Sequence, residues 1–233
     1  MRTIVVLTPM QVELGPVARA LGMRPDGGDR KRHTTTIGNL HVTAILAGVG
    51  PDTATRSTTT VLEELRPEHV IVAGVAGGIA PHLAVGDLVV AEEAMEHRSG
   101  RTSRSTPIGD DAASGRIITT DTILSDAQLA AEIAAGFVAV DMETAAIGVI
   151  CDDAGVPWTA YRAISDRVGE GVIDESTLAL VNNDGTTNLA AVARAALGSP
   201  SALRRFARMR RDGRLATTAV ASATARAVQH LAS

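Results

Sequence analysis

Three carboxylates stand where they could do chemistry. Glu13 lies a few residues beyond the apolar run "TIVVLT", Glu143 just beyond "FVAVD", and Asp166 at the end of "PWTAYRAIS". A charged side chain beside a buried strand is expensive unless something pairs with it. Once positioned, carboxylates can accept hydrogen bonds from a ligand and move protons. Each also has a structural alternative. Asp141 and Glu143, in "VAVDMETAAI", could favour the start of a helix through its dipole. Glu13 could be a solvated residue of the first helix, and Asp166 a helix cap after Ser165. Met10 and Met142 could be simple core. One acid at a strand end is ordinary, whereas three at separate strand ends suggest a site.

The elements that must position these residues are legible from periodicity. Thr3 to Leu7 is β-branched and reads as a strand. Gln11 to Leu21 reads as a helix, with Pro16 inside it as a kink or a late start. "RHTTTIGNLHVTAILAG" reads as a hairpin turning at Gly38-Asn39. Gly48-Val49-Gly50-Pro51 opens a helix running to about Leu65. "HVIVAGVAGG" is a continuous apolar run, as for a central strand buried on both faces. "VGDLVVAEEA", "GRIITT", "FVAVD" and "PWTAYRAIS" read as further strands, Asp126 to Ala135 and Met142 to Ala154 as helices, and residues 97 to 115 as a long polar loop. Beyond Glu170 the chain reads as helical, with a loop near Asn182 to Thr187. Strands alternating with helices indicate an α/β fold, one domain with a mixed sheet flanked by helices. Residues 1–170 read as its core and 171–233 as a helical C-terminal extension packed on it. Ligands in such sheets gather at the carboxyl ends of strands, where these acids and Gly74 to Gly78 fall.

Composition narrows the classes. The chain has 233 residues, 45% hydrophobic but only 2% aromatic, so Ala, Val, Leu and Ile must build the core. A net charge of −4 gives no general case for nucleic-acid binding. Cys151 is the single cysteine, which excludes an intrachain disulfide and a cysteine metal cluster. No apolar run reaches the roughly 18 to 20 residues of a membrane span, and the N-terminal run is too short for a secretory signal. A soluble cytoplasmic protein is the expectation. "ALRRFARMRRDGR" carries six arginines and reads as a solvated helix face. A basic helix lying on an anionic membrane is the alternative, and too few aromatics are present for nucleic-acid stacking.

"TPMQVEL", "AGVAGGIAPHLAVGDLVVAEEA", "VDMETAAI" and "RAISD" occur in that order. On these segments the chain resembles the nucleoside phosphorylase and nucleosidase superfamily, most of all its methylthioadenosine/S-adenosylhomocysteine nucleosidase branch. The resemblance implies a partly barrel-like sheet and cleavage of a purine riboside. It implies that Glu13 aims the attacking water and Asp166 protonates N7 of the purine. Glu143 would accept hydrogen bonds from the ribose 2′- and 3′-hydroxyls, with Met10 and Met142 near the sugar. Gly77, Arg162 and Ser165 would belong to the substrate-binding strand ends, and Ile123 and Leu124 to the base-binding segment. The chemistry suits these residue types: breaking a ribosyl C–N bond builds positive charge on the sugar and negative charge on the base. An acid at N7 answers the second, and carboxylates near the sugar stabilise the first. No metal or organic cofactor is required, and a homodimer is implied.

The chain departs from the branch in four places. The region from residue 97 to 115 is shorter, Ile123 replaces an aromatic, Val75 replaces a serine, and the tail differs. The tail is similar in style to the hopanoid-associated phosphorylase-like branch. A phosphorylase acting on an adenosyl lipid or other purine nucleoside is therefore the alternative activity, and a non-catalytic nucleoside-binding relative the alternative class. Val72 and Val75 stand where phosphorylase relatives carry an arginine and a serine for phosphate, so water is the expected nucleophile. The tail is expected to be dispensable for folding.

Overall fold

A computed structural model of the chain describes residues 1–167, 182–188 and 200–233. It runs β1 (Arg2–Thr8), α1 (Gln11–Ala20), β2 (Arg24–Asp26), β3 (Asp29–Ile37), β4 (Leu40–Leu46), α2 (Pro51–Leu65), β5 (His69–Gly78), β6 (Leu88–Glu96), β7 (Thr102–Arg104), β8 (Gly115–Thr119), α3 (Asp126–Ala134), β9 (Phe137–Asp141), α4 (Thr144–Asp153), β10 (Trp158–Arg167) and α5 (Pro200–Ala232).

One mixed sheet holds these strands. β1 lies parallel to both β4 and β5, and β5 parallel to β10. From β10 the sheet continues through β6, β8 and β9, and β9 returns to β5. Five strands thereby close into a barrel, with Gly77 and Gly78 of β5 paired to Val140 and Ala139 at the seam. Glycine suits that seam: a Cβ on Gly78 would meet Ile164 Cγ2 at 2.9 Å. The continuous apolar run of β5 reflects burial of both its faces, with Ile71 and Ala73 in one core cluster and Val70 and Val72 in the other.

Several expectations are corrected. The polar region 97–115 contains β7, paired with the end of β6. A hairpin of β2 and β3, turning through Gly27 and Gly28, precedes the expected hairpin of β3 and β4. The fourth helix begins at Thr144 rather than Met142, and β10 runs on to Arg167. The boundary at residue 170 and the helices expected between there and residue 199 lie outside the described residues, apart from a turn at 182–188.

The expectation of a dispensable tail is also corrected. Ala216, Val220, Ala223 and Ala227 recur at helical spacing along α5 and are buried with Ile4, Val6, Leu14, Tyr161 and Ala163. α5 therefore completes the core formed by α1, β5 and β10. Its other side carries Arg208, Arg210, Arg211 and Arg214, all exposed, as the solvated-face reading requires. Ala223 has no exposed surface. Ala223→Leu should therefore overpack this contact and destabilise the whole fold by about 1–3 kcal/mol, measured by urea unfolding. An unchanged midpoint would mean that α5 does not share the core.

Candidate active site

The question posed by Asp141 and Glu143 has a divided answer. Asp141 serves the helix start. Its Oδ1 accepts from the backbone N–H of Glu143 and of Thr144, both at 3.2 Å, and from Thr119 Oγ1 at 2.6 Å. Its Oδ2 accepts from the Thr144 hydroxyl and lies 2.9 Å from Arg162 Nε. Glu143 is left free of that task. Its Oε1 accepts from Gly50 N at 3.0 Å, and its Oε2 from Arg162 Nη2 at 3.3 Å.

Glu13 joins the same cluster from the other side. It is 1% exposed, so the solvated-helix alternative fails. Its Oε2 accepts from Met10 N at 2.7 Å and its Oε1 from Val75 N at 2.8 Å. Arg162 is fully buried among Glu13, Asp141 and Glu143, and its Nη1 donates to Val75 O at 3.2 Å. Gly74 makes this fit possible, because a Cβ there would run into Arg162 Nη1 and stand 2.8 Å from Glu13 Oε1.

Three carboxylates around one guanidinium leave excess negative charge in a desolvated space, which favours protons on the glutamates. Burial pushes the Glu13 carboxyl up to about 7, against the pull of Arg162 and of the two backbone N–H groups. Burial likewise raises Glu143 to about 7, opposed by Arg162 and reinforced by Asp141. Carboxyls poised near neutrality can take up and release protons at working pH.

Ser165 Oγ donates to Asp166 Oδ1 at 2.6 Å, and Asp166 is buried. Asp166 pairs with Gly77 across β5 and β10, immediately after a bulge at Ser165. The bulge interrupts the alternation of β10 and re-aims the side chains beyond it. Asp166 thus belongs to a strand, not to the helix cap of the alternative reading. Ile123 is 52% exposed, while Leu124 packs with Ile79, Ile118, Leu129 and Phe137. Neither enters the carboxylate cluster. Met142 lines an open cavity of about 300 Å³ together with Gly50, Thr119, Thr120, Asp52, Glu96 and Arg98. Sequence reasoning assigned no role to Thr119 or Thr144. Gly50 was read only as part of the opening of a helix, and Gly74 only as part of the Gly-rich strand end.

The fold and site define a class: an α/β barrel-sheet protein with buried, near-neutral carboxylates grouped around one arginine. A family model described as "Phosphorylase superfamily" matches residues 3–113 and 105–199. The chain belongs to the phosphorylase superfamily. The 5′-methylthioadenosine/S-adenosylhomocysteine nucleosidase of Geobacillus kaustophilus (strain HTA426) is 32% identical over 155 residues, 53% of this chain and 66% of the relative. The enzyme of the same name from Anoxybacillus flavithermus (strain DSM 21510 / WK1) is 30% identical over 169 residues, 59% of this chain and 73% of the relative. The matched region thus spans 66% of the first of these relatives. Among solved structures, a Helicobacter pylori 5′-methylthioadenosine/S-adenosylhomocysteine nucleosidase superposes with a TM-score of 0.71 at 19% identity, covering 97% of both chains. The native futalosine hydrolase of Helicobacter pylori strain 26695 superposes with a TM-score of 0.66 at 18% identity, covering 99% of this chain and 97% of that one. At such identities the structural likeness speaks for the fold alone.

Proposed function

We propose that the chain is a purine nucleosidase that hydrolyses the N-glycosidic bond of an adenosyl compound of the methylthioadenosine or S-adenosylhomocysteine kind, releasing adenine. The observation that carries this reading is the buried cluster of Glu13, Glu143 and Arg162, which brings together two carboxylates of near-neutral pKa from the first turn of α1 and the start of α4. In the proposed reaction Glu13 orients and deprotonates a water, and Glu143 accepts hydrogen bonds from the ribose 2′- and 3′-hydroxyls. As the C–N bond lengthens, positive charge grows on the sugar within reach of these carboxylates. Asp166 delivers a proton to N7, so that neutral adenine departs. Met10 and Met142 flank the ribose, Gly77 and Ser165 border the base, and Ile123 and Leu124 lie on the base-side segment. Arg162 holds Glu143 in place and balances the cluster's charge. We read it as a positioning residue, because its fully buried guanidinium is engaged with Asp141, Glu143, the Thr144 hydroxyl and the Val75 carbonyl.

Water rather than phosphate is the nucleophile in this reading. Phosphate needs cations or hydroxyls free to receive a dianion. Arg162 is committed to carboxylates, Val72 is core, and Val75 meets the site through its backbone. Arg56 is exposed and donates to Thr53. Asp52, Glu96 and Asp121 line the adjoining cavity, and the arginine in the same lining, Arg98, is paired with Asp121. Incubation with the nucleoside should release free ribose product at a rate independent of phosphate. Phosphate-dependent release of the 1-phosphate would overturn this assignment and favour the phosphorylase alternative. Release of adenine from none of a panel of adenosyl compounds would favour a non-catalytic binding protein.

A cytoplasmic homodimer is part of the proposal, on the family resemblance. No helix among the described residues is long and apolar enough to cross a membrane. Val12 on α1 and Ile123 are large apolar side chains, each 52% exposed, in the segments that carry the site. A partner subunit would cover such side chains, and light scattering reads the subunit number directly.

A further inference from the structure

The turn at residues 182–188 touches both loops that feed the carboxylate cluster. It is closed on itself by Asn182 N to Thr186 O and Gly185 N to Asn182 O, each 2.8 Å, and by Thr186 N to Asp184 Oδ1 at 3.0 Å. Two of its carbonyls point outward. Asn183 O accepts from Val49 N at 2.9 Å, and Gly185 O accepts from Gln11 N at 2.9 Å. Val49 precedes Gly50, whose N–H holds Glu143. Gln11 comes directly after Met10, whose N–H holds Glu13. One small turn, distant in sequence from both, therefore ties together one backbone donor of each glutamate.

The contacts are close enough to demand glycine on both sides. Gly185 has φ +78, and a Cβ there would run into the carbonyl of Pro9 and stand 2.9 Å from Leu46 Cδ1. Gly48 has φ +86, and a Cβ there would lie 2.8 Å from Asn183 O. A side chain at either position would push the turn off one loop, because the atoms it meets include backbone, which yields little. Gln11 is the first residue of α1, and Met10 has no side-chain oxygen with which to cap the helix. The carbonyl from the turn supplies one of the acceptors that the first turn of a helix lacks. The Lys31 Nζ–Asp184 Oδ2 pair, at 2.9 Å, is half exposed and contributes little.

We propose that the 182–188 turn is a clasp that positions the two glutamates relative to one another, with Gly185 and Gly48 as its positioning residues. The inference rests on the nucleosidase reading for its catalytic consequence. The turn then shapes the chemistry through the backbone donors that hold the glutamates. Its two halves act on different carboxylates. Displacing Pro9 and Met10 weakens the Met10 N–H bond that holds the Glu13 carboxylate. That bond favours the charged form, so its loss moves the Glu13 pKa further upward. Displacing Val49 and Gly50 does the same to Glu143.

The test compares Gly185→Ala and Gly48→Ala with the unaltered chain across the pH range. Gly185→Ala is expected to lower kcat by about tenfold or more near neutrality and to move the acid limb of the kcat profile to higher pH. Gly48→Ala is expected to raise KM for the riboside while leaving binding of a 2′,3′-dideoxy analogue unchanged. A role confined to structure would lower the active fraction and leave both the limb and the analogue comparison where they were. That result would overturn the clasp. Should Gly185→Ala fail to fold, Gly48→Ala decides alone by the KM comparison. Should the unaltered chain cleave no adenosyl compound, the nucleosidase reading falls. The clasp is then judged by NMR titration of the Glu13 carboxyl: an upward shift in Gly185→Ala supports it, and an unchanged titration overturns it.

Discussion

Glu13→Gln is expected to lower kcat by on the order of 10²–10⁴-fold, the usual contribution of a positioned acid or base. The carboxylate takes two backbone N–H groups, one on each oxygen, and sits beside Arg162. It must be ionised to accept a proton from water. With its pKa raised to about 7 by burial, kcat should climb as pH rises through neutrality and level off above. Glu143 titrates in the same range beside the same arginine, so the acid limb of the unaltered chain belongs to the pair. In Glu13→Gln the limb should reduce to the Glu143 step. The same shift has a consequence for stability. A folded pKa raised above 4.5 means that the folded chain binds more protons than the unfolded chain between there and about 7. The glutamate's contribution is therefore fullest below the unfolded value and is lost as pH rises through the folded one. Glu13→Gln should flatten the fall in stability across that window, as measured by denaturant unfolding. A kcat within about threefold of the unaltered chain, with the acid limb unmoved, would remove Glu13 from the role of base.

Asp166→Asn should reduce turnover of an ordinary adenosyl substrate on the same scale, about 10²–10⁴-fold, with the fold intact. Asparagine keeps the size of the side chain and an oxygen for the Ser165 hydroxyl, but has no proton to deliver to N7. A substrate already methylated at N7 carries the positive charge that protonation would supply. Its cleavage should be nearly insensitive to the substitution. If the variant loses both substrates equally, Asp166 acts on the geometry of the site. If it loses neither, the acid lies elsewhere.

Much of the fold was legible because its signals are local. The unbroken apolar run of β5 announced a strand without a solvent face, and Gly38-Asn39 announced the turn between β3 and β4. Gly48 to Pro51 marked the start of α2, with Pro51 as its first residue. Glu13, Glu143 and Asp166 stood out by lying beside apolar strands, where carboxylates need partners. The corrected elements had weaker local signals. β2 and β7 are three residues each, too short for an alternating pattern. The core face of α5 is written mostly in alanine, which periodicity hardly distinguishes from a helix surface.

What the sequence by itself determined was the set of carboxylates, the strands beside which they lie, and the Gly-rich strand end near them. The tertiary structure decided which group meets which. "VAVDMETAAI" does not say that Asp141 binds the helix start while Glu143 turns to Gly50, because Gly50 and Arg162 reach Glu143 from other elements. Nothing local to Arg162 foretells a fully buried guanidinium, since the acids that accommodate it come from α1, β9 and the start of α4. The bulge at Ser165 decides the direction of Asp166 through the register of β10 on β5. The turn at 182–188 reaches Gln11 and Val49 only after the chain has folded back. Periodicity describes one element at a time. Pairing between polar groups depends on the register and approach of elements far apart in sequence, and in a buried site that pairing sets where the protons reside.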